Sequence, residues 1–252
     1  MAEPLDIQFV SLSAAPAGAV VLMAGPELAL GPTTRGIDER MKGGLLKAAR
    51  AAGFQGKAKT SIEILAPAGV DAARIILVGT GAGGKELDRL QLGGAMFAQL
   101  SARKGELGTI VADPADAGEA GVDTFAADLA FGAVLRSYAF KKYQTRKPDA
   151  EGEETPRDGL QKLVIQCAKP DAAAKIFTAR KAVADGVFLA RDLVNEPANI
   201  LGPVEFAGRL QELTSAGLEV EILDEDQMRS LKMGALLAVG QGSERPSRVA
   251  IM

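Results

Sequence analysis

Three short runs in this sequence are apolar almost from end to end, "AVVLMAG" (19–25), "ARIILVGTG" (73–81) and "LGTIVAD" (107–113), and a fourth, "LQKLVIQC" (160–167), is apolar with alternation. A strand with two apolar faces needs cover above and below, and a parallel sheet with helices on both sides supplies it. The stretches between these runs fit that demand. From Ile37 to Ala52, Met41, Leu45 and Ala48/Ala49 fall at helical spacing, and Gly53 can stop the helix. Helical patterns also run from Leu87 to Lys104 and from Thr124 to Lys142. The alternation predicts an α/β fold with a largely parallel core sheet flanked by helices. Near the start, "LDIQFVSL" (5–12, with Leu5, Ile7 and Phe9 at period two) and "KTSIEILAPAG" (59–69) each precede another strand with no helix between. These adjacent strands predict that the sheet is mixed.

Beyond residue 170 the pattern changes. Ile176, Ala179, Val183, Val187, Ala190 and Val194 step by three or four and predict one apolar face of a long helix over 171–194. Pro197 disfavours helical geometry at Glu196, so the helix should end near Asn195. A new helix should open at once, with Gly202 as N-cap, Pro203 in the first position and Glu205 favouring the positive helix end. Phe206, Leu210 and Leu213 would form its apolar face. After it, "GLEVEILD" (217–224) alternates as a strand and "DEDQMRSLKMG" (224–234) reads as a short capped helix. "ALLAVGQGS" (235–243) is an apolar run into a glycine loop, and "SRVAIM" (247–252) begins another strand. An apolar strand at a chain end would place a charged carboxylate in a sheet, so the chain is expected to be a fragment.

Composition removes whole classes of chemistry. There is no histidine, which excludes Ser-His-Asp and Cys-His nucleophiles and every His-ligated zinc site. The single cysteine, Cys167, has no disulfide partner and suits a reducing compartment. Lysine and arginine number 29 against 32 aspartates and glutamates, so no global field recruits nucleic acid or anionic lipid. The start lacks a signal peptide's basic and apolar regions, and no apolar run approaches the ~18 residues of a membrane span. The expectation is a soluble, cytoplasmic protein.

Several motifs tempt a sharper reading. In "VGTGAGGKE", Gly79, Gly81 and Gly84 match a dinucleotide fingerprint, and Gly79, Gly84 and Lys85 match most of a P-loop. Glu86 stands where a P-loop has the Mg²⁺-holding hydroxyl, so a turn from strand to helix is the expected role. Lys141, Lys142, Arg146 and Lys147 lie near Tyr138 and Tyr143, as a nucleic-acid finger would need. Asp149, Glu151, Glu153 and Glu154 then cancel the charge, and a solvated loop is expected. Asp192 and Glu196 sit four apart beside Arg191 and read as a surface pair. Met228, Met233 and Met252 read as core filler.

At "RDLVNEPANILGPVEFA" (191–207) the sequence resembles the leucyl aminopeptidases, the cytosolic metalloaminopeptidases also called M17 peptidases. The likeness continues through 217–252. "SYAFKKYQTRK" (137–147) and "RIILVGTG" (74–81) are similar to weaker patterns of that family's N-terminal domain. The resemblance implies an N-terminal macro-domain-like α/β domain over 1–170, a linking helix over 171–196, and the opening of an α/β catalytic domain over 197–252. The Asn195–Pro203 joint would carry the chain from one to the other. It further implies a homo-hexameric parent enzyme that removes N-terminal residues from peptides with two divalent ions, manganese, zinc or magnesium. In that family aspartates, a glutamate and a lysine hold the ions, so a chain without histidine agrees with it. The family's metal segments, "TFDSGG"-like and "NTDAEGR"-like, occur nowhere in these 252 residues. No catalytic, cofactor-binding or metal residue is therefore assigned here, and the chain is expected to be inactive alone. The competing expectation is a binding module that holds a nucleotide such as ADP-ribose at "GTGAGGK", or DNA at Lys141–Lys147.

Overall fold

The computed structural model describes residues 5–13, 17–82, 84–103, 107–144 and 160–252. The chain divides into two compact units, 1–188 and 189–252.

In the first unit, strands β1 (Asp6–Ser11), β2 (Gly18–Ala24), β3 (Ser61–Leu65), β4 (Ala72–Gly79), β5 (Leu107–Ala112) and β6 (Lys162–Cys167) form one sheet, in the order β1-β6-β5-β2-β4-β3. All neighbours are parallel except β3, which runs antiparallel to β4 with Ser61 opposite Val78. The sheet is mixed as expected, through the β3–β4 pair alone. β1 and β2, consecutive in sequence, are separated by β6 and β5.

Period two sends successive apolar side chains to opposite faces, so the central strands β2, β4 and β5 each feed two cores. Val20, Leu22, Ile75 and Leu77 pack with Ile37 and Leu45 of helices α1 (Pro32–Arg40) and α2 (Gly44–Ala51). Val21, Met23, Ile76 and Ile110 pack on the other face. Their partners are Met96 of α3 (Glu86–Ser101), Leu129 of α4 (Gly121–Ser137) and Phe177 of α5 (Pro170–Asn195). Helices α3 and α4 meet backbone to backbone: a methyl on Gly93 would strike the Leu129 carbonyl, and one on Gly132 the Leu90 carbonyl.

Two expectations are corrected. The single helix over 37–52 is two, because Lys42 (φ 52°) and Gly43 (φ 76°) turn left-handed between them. The Asp38 carboxylate then accepts from the Leu45 and Leu46 amides at 2.9 and 3.1 Å and caps α2. Helix α5 is present, but its buried face is Ala173, Phe177 and Ala184, while Val183 is 57% exposed and Val194 85%. The buried stripe also carries Arg180, and counting apolar residues passes over a charged member.

Arg180 belongs to a buried ionic network. Asp128, in the middle of α4, is fully buried, with Arg89 Nε at 2.6 Å and Arg180 Nη2 at 2.5 Å. Arg180 Nη1 also donates to Glu86 at 2.8 Å, and its guanidinium lies 5.8 Å from the Phe131 ring centre. Arg89 Nη1 donates to the Gly84 carbonyl at 2.7 Å. Burial pushes the Asp128 carboxyl above its ordinary range against the pull of both arginines, whereas Arg180 holds Glu86 below its own.

In the second unit, α6 (Pro203–Gln211) starts at Gly202, whose amide donates to Glu205 Oε2 at 3.0 Å. Strands β7 (Glu221–Leu223) and β8 (Val249–Ile251) pair antiparallel. Between them, α7 (Glu225–Ser230) is capped by reciprocal 2.9 Å bonds of Asp224 and Gln227. The apolar run "ALLAVG", which leads into the glycine loop, forms helix α8 (Gly234–Gly240). Ala207 is the buried residue of α6, and Phe206, expected inside, is exposed. Met228 is core as expected, but Met252 is exposed.

Removing Asp128 leaves two arginines facing an apolar interior. Asp128→Ala is therefore expected to destabilise the protein by about 3–5 kcal/mol in urea unfolding, whereas Val183→Ser on the exposed stripe should change stability by less than about 0.5 kcal/mol.

Candidate functional site

The glycine run leaves the sheet at the carboxyl end of β4, beside the end of β2, where open α/β sheets place ligands. A phosphate cradle needs successive amides aimed at open space. Here Gly79 N–H donates to the Thr60 carbonyl at 2.9 Å, Thr80 N–H to Ala24 at 3.0 Å and Gly81 N–H to Gly56 at 3.0 Å. The Lys85 amide donates to Asp88 Oδ2 at 2.9 Å, so a protein carboxylate already occupies the start of α3. The glycines answer a packing need instead: a methyl on Gly79 would strike the Lys57 carbonyl, and one on Gly56 (φ 72°) the Gly25 carbonyl. The start of α1 is filled likewise, with Thr33 N–H donating to Asp113 Oδ2 at 2.5 Å.

A cleft of about 290 Å³ opens next to this loop, between α3 and residues 58–61. Val78, Leu92 and Ala95 give it apolar lining; Lys59, Asp88 and Gln99 are among its polar groups. It exists because β3 passes into β4 without a crossover helix. Ile62 and Ile64 pack into the α1–α2 core, and Ser61 and Glu63 on the opposite face stay exposed. At the far end of α3, Arg74 is buried, donates to the Leu100 carbonyl at 2.6 Å and bridges Glu63 at 2.9 Å. Arg103 reaches the same carboxylate at 2.7 Å. The Arg74 hydrogen bond, aided by Arg103, holds the Glu63 carboxyl below the usual glutamate range. A second, wider opening of about 500 Å³ is lined by Glu27, Leu28, Phe54 and Lys57.

The remaining candidates disperse. Lys142 Nζ lies 5.5 Å over the Tyr143 ring, Tyr143 packs on Phe140, and Tyr138 packs on Phe188 at 5.2 Å. Arg146, Lys147, Asp149, Glu151, Glu153 and Glu154 lie outside the described residues. Asp192 and Glu196, expected at the surface, are half-buried, with Arg191 exposed beside them. Cys167 is buried, which pushes its thiol up and away from reactivity. Among the described residues no group of three or more His, Cys, Asp or Glu side chains gathers to hold a metal ion. The residues that sequence reasoning missed are Asp128, Asp113, Asp88 and Lys59. Asp128 had a signal, a lone charge inside "FAADLAFGAVL"; the others depend on distant segments meeting.

A mixed, mostly parallel sheet covered by helices, followed by a second unit with its own short strands, is an architecture shared with part of a solved leucine aminopeptidase. A tomato leucine aminopeptidase variant superposes with a TM-score of 0.81 over 98% of this chain and 50% of that one, at 24% identity. The bottromycin maturation enzyme BotP, in complex with Mn, gives 0.66 over 93% and 44%, also at 24% identity. Sequence comparison narrows the class. Residues 20–147 match the N-terminal domain of the cytosol aminopeptidase family, and 188–252 its catalytic domain. A probable cytosol aminopeptidase of Chelativorans sp. (strain BNC1) is 43% identical over 100% of this chain and 49% of its own length. That of Rhizobium meliloti (strain 1021) is 45% identical over 99% and 49%. The chain belongs to the cytosol aminopeptidase family, and it spans about half the length of the curated relatives it matches.

Because the Gly79, Thr80, Gly81 and Lys85 amides are engaged within the protein, ATP or ADP-ribose is expected to leave the thermal midpoint unchanged at millimolar concentration; a dose-dependent rise would restore the nucleotide reading. The lowered Glu63 carboxyl contributes stability above the ordinary glutamate value of 4.5 and loses it as pH falls below. Wild type should exceed Glu63→Gln by about 1 kcal/mol at neutral pH, and urea midpoints of the two should converge in acid.

Proposed function

We propose that this chain supplies the frame, not the chemistry, of a metal-dependent exopeptidase that removes N-terminal residues from peptides. The observation that carries the reading is the extent of the match: the family's catalytic-domain pattern meets this chain over 188–252, in relatives about twice as long. Such an enzyme uses divalent ions to activate water and to stabilise the oxyanion. Manganese, zinc or magnesium would serve, and the Mn bound by BotP favours manganese. The described residues of this chain do not gather a fitting ligand set, so none is assigned to the ions and no step is routed through them. Segments resembling the family's metal-binding motifs are absent from the 252 residues, which supports inactivity of the chain alone. Residues 1–170 form the macro-like domain in this reading, 171–196 the linking helix, and 197–252 the first part of the catalytic domain. The full-length enzyme is a cytoplasmic homo-hexamer acting on peptides, with no role for nucleic acid or membrane.

Leucine-p-nitroanilide with Mn²⁺ tests the reading. The 252-residue chain should give no hydrolysis above the metal-only rate, and a chain of the relatives' full length should give it. Turnover by the 252-residue chain, abolished by chelation, would mean that its own residues hold the ions.

A further inference from the structure

We propose that the cleft between α3 and residues 58–61 is a binding site for a small zwitterion, a free α-amino acid or a dipeptide. The inference goes beyond the peptidase reading and needs no hydrolysis. It begins with two opposite charges. Lys59 and Asp88 line the same cleft from its two walls, yet among the described residues they form no ion pair with each other or with any other side chain. One Asp88 oxygen accepts from the Lys85 amide, which leaves Oδ1 for an ammonium group. The Lys59 ammonium is left for a carboxylate.

The other polar lining sorts into engaged and available groups. Thr60 donates its hydroxyl to the Lys57 carbonyl at 2.5 Å, and Thr80 donates to Gly81 at 3.2 Å. The Ser61, Gln91 and Gln99 side chains bond no described protein group and can serve amides or carboxylates of a ligand. Val78, Leu92 and Ala95 would cover an apolar side chain. The walls are fixed before any ligand arrives. Gly81 packs on Ala58, Gly79 on Lys57, and Lys59 is held left-handed at φ 65° by the turn that Thr60 N–H closes on Lys57 at 3.2 Å. Non-glycine residues held in that region store strain that is common at ligand sites. Size and charge disfavour larger anions: about 290 Å³ is at the foot of the usual range of roughly 300–1,000 Å³, and the Asp88 carboxylate on the wall would repel a phosphate.

The test is titration of the 252-residue chain by calorimetry and amide NMR with L-leucine, L-leucyl-glycine, L-leucinamide and N-acetyl-L-leucine. Saturable binding is expected for leucine, the dipeptide or both, which also distinguishes the two sources. L-Leucinamide and N-acetyl-L-leucine, each lacking one charge, should bind at least about tenfold more weakly, as should Lys59→Gln and Asp88→Asn with the zwitterions. Asp88→Asn also loosens the start of α3. Ala95→Phe fills the cleft without touching cap or charge, and should abolish binding at an unchanged thermal midpoint. No saturable shift with either zwitterion at about 10 mM, equal binding of N-acetyl-L-leucine, or wild-type binding by Ala95→Phe overturns the proposal. Catalytic assays do not enter, so its failure would leave the peptidase reading untouched.

Discussion

Asp128 decides how three helices of the first unit face one another. Its carboxylate is closed off from water inside α4, where an unpaired charge would not be tolerated, and Arg89 from α3 and Arg180 from α5 converge on it. Two arginines on one aspartate leave a positive surplus, and Glu86 on the rim takes it up through Arg180. A buried network of this kind is weak as a source of net stability, because desolvation offsets attraction. What it supplies is selection among packings. An α5 docked on its apolar stripe of Val183 and Val194 would leave Arg180 without Asp128, so the helix turns Ala173, Phe177 and Ala184 inward instead.

The same logic of close approach explains the glycines. Gly93 and Gly132 let α3 and α4 touch at the backbone, which brings Arg89 within reach of Asp128. At the carboxyl ends of β2 and β4, Gly25, Gly56 and Gly79 stack main chain on main chain, and the Gly79, Thr80 and Gly81 amides are satisfied there. A glycine loop after a strand therefore has two physical uses that sequence alone does not separate. Amides are either exposed to cradle an anion or hidden so that three segments can meet; Gly79, Thr80 and Gly81 do the second.

Much of the fold was legible because burial on both sides of a sheet leaves a mark in every strand. Runs such as "AVVLMAG" and "ARIILVGTG" name themselves, and Pro197 with Pro203 marks the break before α6. The family was legible at 191–207 for the same local reason. What failed needed information from elsewhere in the chain. The break at Lys42–Gly43 keeps helical spacing across it, so periodicity read one helix. The face of α5 was misread because a paired charge counts as core. The cleft was invisible because it arises from a missing crossover helix above β3, and Lys59 and Asp88 approach it from segments almost thirty residues apart.

The shortness of β3 has a consequence for the protein in solution. Left-handed Lys59 (φ 65°) and Ala66 (φ 46°) bracket the strand, and Glu63 sits at its centre between two arginines. As the antiparallel rim of the sheet, it would otherwise offer a template for another molecule's backbone. Five residues, a sharp bend at each end and a fixed charge in the middle make that template too brief and too polar to recruit a neighbour. The rim that leaves the cleft open is thus also a guard against edge-to-edge aggregation.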